Sequence, residues 1–417
     1  MTFASSAFRS AGSLPTALLA VVSAFAWAPI GVGATASLNT VLAGRANLTT
    51  FSDLVKDHAD VFSKLPAPVT VIAPNDAAYK KLGNWNELKE NKTLVNAMMK
   101  YHILPTIVAT TAVFKGESIW SSTLLTDPKF TSIKGGQRLI LTKQPAGEAV
   151  FTSGFATRGT VVVENLEFEH GLVQVVDSVM RIPENFEQTA RNAYTDLTAF
   201  LGALYKSGLT EEVIFKEKDI TIFAPHNSAF QHLSDNLESM KPDELKRLLR
   251  YHIVPRRVAH VWELKNNTSV TMAEKGKVRI TRHHNNVFVN AAQLIQTDIL
   301  ISNGVVHMID NVLDPAQSGT RPDVDQISQS PVIQATGTNT ITGTTVPTPF
   351  TSYLPCTVNC PVTKTVTKTP LAYPTSYHNE LQSTTSSGGV AAARCTGLVG
   401  AGAVGLAAVG AAVVAGL

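Results

Sequence analysis

The feature that most constrains this chain is that it repeats itself. Residues 69–79 read VTVIAPNDAAY and residues 220–230 read ITIFAPHNSAF. Two further blocks recur in the same order: KYHILPTIV (100–108) against RYHIVPRRV (250–258), and GLVQVVDSVMRIP (171–183) against GVVHMIDNVLDP (304–315). A period near 150 residues is too long for a solenoid unit, so the chain is a duplicated domain. Whatever the unit folds into, the sequence must satisfy it twice.

Each copy predicts helices first and strands later, an α+β arrangement. Residues 51–62 and 193–208 place apolar side chains three and four apart, as on one face of a helix. VTVIAP and ITIFAP are short β-branched strands stopped by proline. A second helical run follows and ends in Tyr-His. Residues 277–290 predict a hairpin with its turn at 283–286, and the last block predicts a closing strand. Tyr101 to Gly171 is 70 positions and Tyr251 to Gly304 only 53. The surplus, WSSTLLTDPKFTSIKGGQ, is expected to be an enlarged surface loop.

The two ends carry targeting signals. Arg9, an apolar stretch over 14–28 and the small residues Ala34 and Ala36 predict a secretory signal over residues 1–36; an uncleaved anchor is the alternative. Residues 397–417 are apolar to the last position, with small residues 387–389 upstream. This order predicts a glycosylphosphatidylinositol anchor at Ser387, with residues 388–417 as its propeptide; a Gly/Ala-rich tail anchor is the alternative. Of three cysteines, Cys395 would leave with that propeptide, and Cys356 and Cys360 would remain as a local disulfide pair. Residues 316–387 are rich in Thr, Ser and Pro with little to bury, which predicts a disordered, O-glycosylated stalk. Fully extended at about 3 Å per residue, it would reach on the order of 200 Å. A formal charge of +3 excludes a chain built to neutralise nucleic acid.

The three blocks, best kept as NGVVHMIDNVLDP at 303–315, resemble the fasciclin domain family. The resemblance implies two tandem domains, 37–183 and 184–315, each a β-sandwich or wedge with several helices. It implies a non-enzymatic adhesion role without cofactors. The partners would be cell-surface or wall glycans or proteins, homophilic contact included. The stalk and anchor signal resemble those of fungal surface proteins. The first copy departs at Gln174, which stands where the second has His307. A carrier for an apolar or glycan ligand and a wall hydrolase are the competing classes.

Candidate residues follow. Asn75 after a strand and proline is placed to cap a helix, with Asp76 in its first turn; in the second copy the cap is expected to shift to Asn227. Because Asp76 becomes Asn227, capping is favoured over catalysis. Tyr101, His102, Tyr251 and His252 read either as packed, hydrogen-bonded helix ends or, by resemblance, as an adhesion surface. Lys246, Arg247, Arg250, Arg256 and Arg257 form a basic cluster for an anionic partner, or a solvated face paired with Asp243 and Glu244. Sequons place N-glycans at Asn47, Asn91, Asn266 and Asn267, the last two mutually exclusive. No G-x-S-x-G, H-E-x-x-H or phosphate-binding glycine loop is present, and His283-His284 lacks neighbouring acidic or Cys ligands, so no catalytic or metal residue is assigned.

Overall fold

The computed structural model describes residues 36–356, except 232, 234–236, 238, 327 and 334–347. The signal segment, Cys360, Cys395, Ser387 and the anchor propeptide lie outside the described residues.

Each domain is built on seven strands. In domain 1 the order is β2 (Ile103–Leu104), β1 (Val69–Pro74), β7 (Gly171–Val176), β6 (Arg158–Phe168), β5 (Ala149–Thr152), β4 (Arg138–Lys143) and β3 (Ser118–Ser122). Domain 2 repeats it: β9 (Ile253–Val254), β8 (Ile220–Pro225), β14 (Gly304–Ile309), β13 (Ala292–Ile301), β12 (Asn286–Val289), β11 (Lys277–His283) and β10 (Ser269–Thr271). The three sequence blocks that recur are therefore the three adjacent strands at one end of each sheet. The opening strand pairs in parallel with the closing strand and antiparallel with the short strand after Tyr-His. The closing strand must begin with glycine, because a Cβ at Gly171 or Gly304 would overlap the carbonyl of Val69 or Ile220.

The long strand of each copy slips register twice, at Val161/Val163/Leu166 in β6 and at Leu294/Gln296/Ile299 in β13. Such bulges bend and twist a strand, so each sheet folds into a wedge. In domain 2 the opening strand β8 is buried on both faces. Ile220, Ile222 and Ala224 face the helices, while Phe223 joins Tyr251, Val278, Ile280 and Val289 inside the wedge. A strand covered twice reads as an unbroken apolar run, which is why ITIFAP does not alternate.

The predicted helical runs are found with two departures: the run over 193–208 becomes an α-helix only at Thr198, after a 3₁₀ turn at Thr195–Leu197, and the run over 51–62 is broken. The run over 51–62 divides at His58 (φ −113°, ψ 43°) into α2 (Thr49–Asp57) and α3 (Ala59–Phe62), after α1 (Leu38–Ala43). α4 (Asp76–Lys81), α5 (Trp85–Leu88) and α6 (Lys92–Tyr101) complete domain 1. Domain 2 has α7 (Phe186–Asn192), α8 (Thr198–Ser207), α9 (Asn227–Gln231) and α10 (Pro242–Arg250). Gly208 at φ 71° stops α8 with a left-handed cap. Among the described residues no helix is long and apolar enough to cross a membrane.

The surplus segment of the first copy is not a free surface loop. Ser132 N–H and Thr131 Oγ1 donate to the Ser302 carbonyl at 3.0 and 3.1 Å, and Gln137 Nε2 donates to the Ile301 carbonyl at 3.1 Å. Lys134 N–H donates to Asp219 Oδ1 at 2.7 Å. Thr131 and Gln137 are buried. The extra residues are there to clasp domain 2, a long-range role that composition does not reveal.

The expected stalk also departs from the expectation where it is described. The Gln329 carbonyl accepts from Asn311 Nδ2 and the Gln329 N–H donates to Asp310 Oδ2, both at the end of domain 2, and Ile333 packs against the domain's helical core. Phe350 is buried in the helical core of domain 2.

Candidate functional site

The Tyr-His pairs sit where α6 and α10 meet the sheet. All four side chains are fully buried. Tyr101 donates its hydroxyl to the Arg138 carbonyl at 2.9 Å, and Tyr251 donates to the Lys277 carbonyl at 2.9 Å. His102 Nε2 accepts the Met180 N–H at 3.0 Å, and His252 Nε2 accepts the Leu313 N–H at 2.9 Å. A backbone N–H can only donate, so the proton of each imidazole is on Nδ1. It points at the carbonyl four residues back, Met98 at 2.7 Å and Leu248 at 2.9 Å. Burial pushes both histidines down to about 4, against the smaller opposing effect of those carbonyls. These pairs therefore tie the helix end to the chain after the closing strand. None of the four side chains reaches solvent.

Gln174 and His307 prove to be equivalent. Gln174 Nε2 donates to the Val108 carbonyl at 2.9 Å, and its Oε1 accepts the Asn165 N–H at 2.9 Å. His307 Nε2 donates to the Ala259 carbonyl at 2.9 Å, and its Nδ1 accepts the Asp298 N–H at 3.3 Å. Asn165 and Asp298 are the left-handed bulge residues (φ 53° and 56°) of the two long strands. Either side chain supplies one donor and one acceptor to the same two backbone groups. The replacement preserves the architecture and removes a titratable group from domain 1.

The cap assignment is correct in one copy and displaced in the other. Asn75 Oδ1 accepts the Ala78 N–H at 2.9 Å. In domain 2 the cap does not shift to Asn227: His226 Nδ1 accepts from the N–H groups of Ser228 and Ala229 at 3.0 and 3.3 Å. Asp76 and Asn227 instead cap a second helix. Asp76 accepts from Thr49 and Thr50 at the start of α2, and Asn227 Oδ1 accepts the Ala199 N–H at 2.8 Å at the start of α8. Burial raises the Asp76 carboxyl, but the hydrogen bonds from Thr50 and Thr49 outweigh it and hold the group below its ordinary value.

The basic cluster is largely neutralised, though not by the carboxylates expected. Arg250 forms a two-pronged pair with Glu212 (2.6 and 3.2 Å), Arg247 pairs with Glu274 at 3.0 Å and Arg257 with Glu263 at 3.8 Å. Asp243 and Glu244 take no part; Glu244 instead accepts the Lys241 N–H at the start of α10. Lys246 and Arg256 have no carboxylate within ion-pair distance among the described residues. On domain 1, Lys92, Asn96, Lys100 and Asp127 line a shallow polar groove of about 300 Å³.

The sequon asparagines Asn47, Asn91, Asn266 and Asn267 are all exposed. Asn91 Oδ1 caps α6 through the Leu94 N–H at 3.1 Å, which leaves its amide nitrogen outward. Asn266 and Asn267 accept from Arg282 N–H and Arg279 Nη2. Cys356 is exposed; its expected partner Cys360 lies outside the described residues.

One constellation gave no sequence signal. His260 Nδ1 lies 3.0 Å from Asp298 Oδ1, and both side chains are buried. The His260 ring faces Trp120 of domain 1 at 6.2 Å, and Trp120 lies 6.3 Å from Trp262. His260 Nε2 and Trp120 Nε1 are buried without a partner. Domain 1 has Ala109 at the position matching His260, so the repeat does not expose it. His283 and His284 meet edge to face at the β11–β12 turn, with ring centroids 4.1 Å apart. No cluster of three or more His, Cys, Asp or Glu that would hold a metal occurs among the described residues.

The fasciclin domain model matches residues 46–183 and 195–315. A fasciclin-like arabinogalactan protein of Arthroderma benhamiae is 28% identical over 264 residues, 61% of this chain and 60% of that protein. One from Cercospora beticola is 29% identical over 293 residues, 68% of this chain and 78% of that protein. Human periostin is 24% identical over 259 residues, 62% of this chain and 28% of periostin. The chain thus spans less than two thirds of the Arthroderma relative and of periostin. Among solved structures, a FAS1 domain pair from the insect cell adhesion molecule Fasciclin I is similar at 15% identity and a TM-score of 0.32, covering 65% of this chain and 98% of that one. With the family model matched over both copies, and the same seven-strand order built by each, this chain belongs to the fasciclin domain family.

Proposed function

We propose that this chain is a non-enzymatic cell-surface adhesion protein. Its two fasciclin domains contact cell-surface or wall glycans or proteins, a second copy of the chain included. A lipid at Ser387 holds it at the outer face of the plasma membrane, or it passes to the wall. The observation that carries this reading is where the reactive side chains lie. His102, His252 and His307 are buried with both ring nitrogens hydrogen-bonded to the backbone, so none faces solvent as a base. The outer surface offers amides, hydroxyls, charges of both signs and the exposed aromatics Phe114 and Trp262. Such a surface suits many weak contacts, and two domains in tandem multiply their effect. The printed names of the fungal relatives, which join fasciclin to arabinogalactan, favour a glycan-rich setting.

The test is to treat intact cells bearing the chain with a phosphatidylinositol-specific phospholipase and then measure aggregation. Release of the chain together with loss of aggregation is the expected result. Failure to release it removes the lipid anchor, and release with aggregation intact removes the adhesive role.

A further inference from the structure

Residues 348–355, TPFTSYLP, come from the Thr/Pro-rich span, yet they lie on the helical face of domain 2. Phe350 is 1% exposed. Its ring meets Phe230 of α9 edge to face, with centroids 5.9 Å apart. The Lys206 ammonium at the end of α8 sits 5.0 Å from the Phe350 ring and 5.4 Å from the Tyr353 ring, one cation shared by two aromatic faces. Arg191 of α7 donates to the Pro355 carbonyl at 3.0 Å, and Gln231 of α9 donates to Thr348 Oγ1 at 3.4 Å. Three helices thus hold the segment by its ring, its backbone and both of its ends.

The face is shaped for this segment. Gly202, in the middle of α8, lets the Phe350 backbone approach so closely that a Cβ there would overlap the Phe350 carbonyl. Glycine inside a helix is less favourable than alanine, so its presence needs a reason, and the approach of Phe350 supplies one. Phe350 itself is left-handed (φ 64°, ψ −7°), a conformation that a bulky residue keeps only when its surroundings impose it. The first copy is the control. The caps from Asp76 and Asn227 align Thr50 with Ala199, so Asp53 and Asp57 of α2 stand where α8 has Gly202 and Lys206. Both aspartates are exposed. The duplicate helix that receives no segment is charged at the positions where α8 has its notch and its cation.

We propose that the α7–α8–α9 face of domain 2 is a peptide-docking site for a segment bearing a Pro-Phe pair followed by a second aromatic residue three positions on. Its occupant is this chain's own residues 348–355. The docked segment is a clip that fastens the base of the stalk to the domain. With the clip closed, the span between domain 2 and the expected anchor begins at residue 357 instead of 334, because Gln329 and Ile333 are held to the domain on their own. At about 3 Å per residue, its reach falls from on the order of 160 Å to on the order of 100 Å. Opening or closing the clip sets how far the domain pair stands from its anchoring surface.

The test uses the full secreted chain and a fluorescein-labelled peptide of residues 348–355. Phe350→Ala vacates the pocket, so that variant is expected to bind the peptide. The wild type should bind it at least about tenfold more weakly, because the tethered segment competes at high effective concentration. Gly202→Ala is expected to keep the domain folded, since alanine favours the helix, while hydrogen-exchange protection of residues 350–354 is lost. If Phe350→Ala fails to fold, the Gly202→Ala exchange measurement decides. Peptide that does not bind folded Phe350→Ala, peptide that binds wild type equally well, or protection unchanged in Gly202→Ala each overturns the proposal. A wild-type dimer in solution that Phe350→Ala dissociates would show that the segment comes from a second copy, and would overturn the assignment within one chain.

Discussion

The Leu313 N–H donates to His252 Nε2 at 2.9 Å, joining the end of the Tyr-His helix to the chain just beyond the closing strand. Met180 and His102 make the same bond in domain 1. Each imidazole bridges two backbone groups that have no route to water.

Removing the bridge should therefore unfold the domain before it touches adhesion. His252→Ala or His102→Ala strands the buried Leu313 or Met180 N–H and opens a cavity, a loss of roughly 2–4 kcal/mol, while the Leu248 and Met98 carbonyls keep a backbone donor. Urea denaturation is expected to show that loss, and adhesion should fall only as the folded fraction does. Adhesion abolished at unchanged stability would contradict the interior role.

The same histidines set a pH dependence. Both titrate at about 4 in the folded chain and near 6.5 when unfolded. The unfolded state binds more protons between those values. The stabilisation is therefore complete above pH 6.5 and is lost as the pH falls toward 4, by roughly 3 kcal/mol per histidine. Glu184 runs the other way. Burial raises it to about 7 despite the opposing Arg181, so its contribution is lost as the pH rises from 4.5 through 7. Glu184→Gln is expected to raise stability above pH 7 while leaving the acid limb of the curve in place.

Asp76 should behave as a cap and not as a catalyst. Asp76→Asn, the residue type its duplicate uses, is expected to cost less than about 1 kcal/mol, and Asp76→Ala about 1–2 kcal/mol. With its folded value depressed, the Asp76 contribution is present above pH 4 and lost as the pH falls below it. Thermal melts of the two variants at pH 7 and pH 3 measure the difference.

His307→Gln should be nearly neutral, within about 1 kcal/mol, because Gln174 already does this work in domain 1. His307→Leu, which fits the space without the hydrogen bonds, is expected to cost about 2–4 kcal/mol by leaving the Ala259 carbonyl and Asp298 N–H unpaired. Equal losses in the two variants would show that volume, and not hydrogen bonding, selects the residue.

Gln137 and Asp219 hold the two domains together through the Ile301 carbonyl and the Lys134 N–H. The wild type is expected to melt as one calorimetric transition. Gln137→Ala with Asp219→Ala should separate it into two, each bond contributing about 1 kcal/mol. Two resolved transitions already present in the wild type would argue against coupling through this clasp.

Local physical chemistry was legible in the residues alone. The duplication follows from three repeated blocks, and the strand, proline stop and polar cap of VTVIAPNDAAY follow from short-range backbone preferences. The hairpin turn at His284 follows from the same rules, with that residue at φ 53°. Sequence order placed the three blocks far apart. Only the tertiary structure shows that they are neighbouring strands, because pairing between residues 69 and 171 leaves no periodic trace. Burial of the Tyr-His pairs, carboxylate partners from other elements for Arg247 and Arg250, the clasp made by residues 131–137 and the seat of Phe350 were decided in the same way. Each depends on groups more than twenty residues apart meeting in space, so the chain's local preferences name its parts and the packed core decides which of them face a partner.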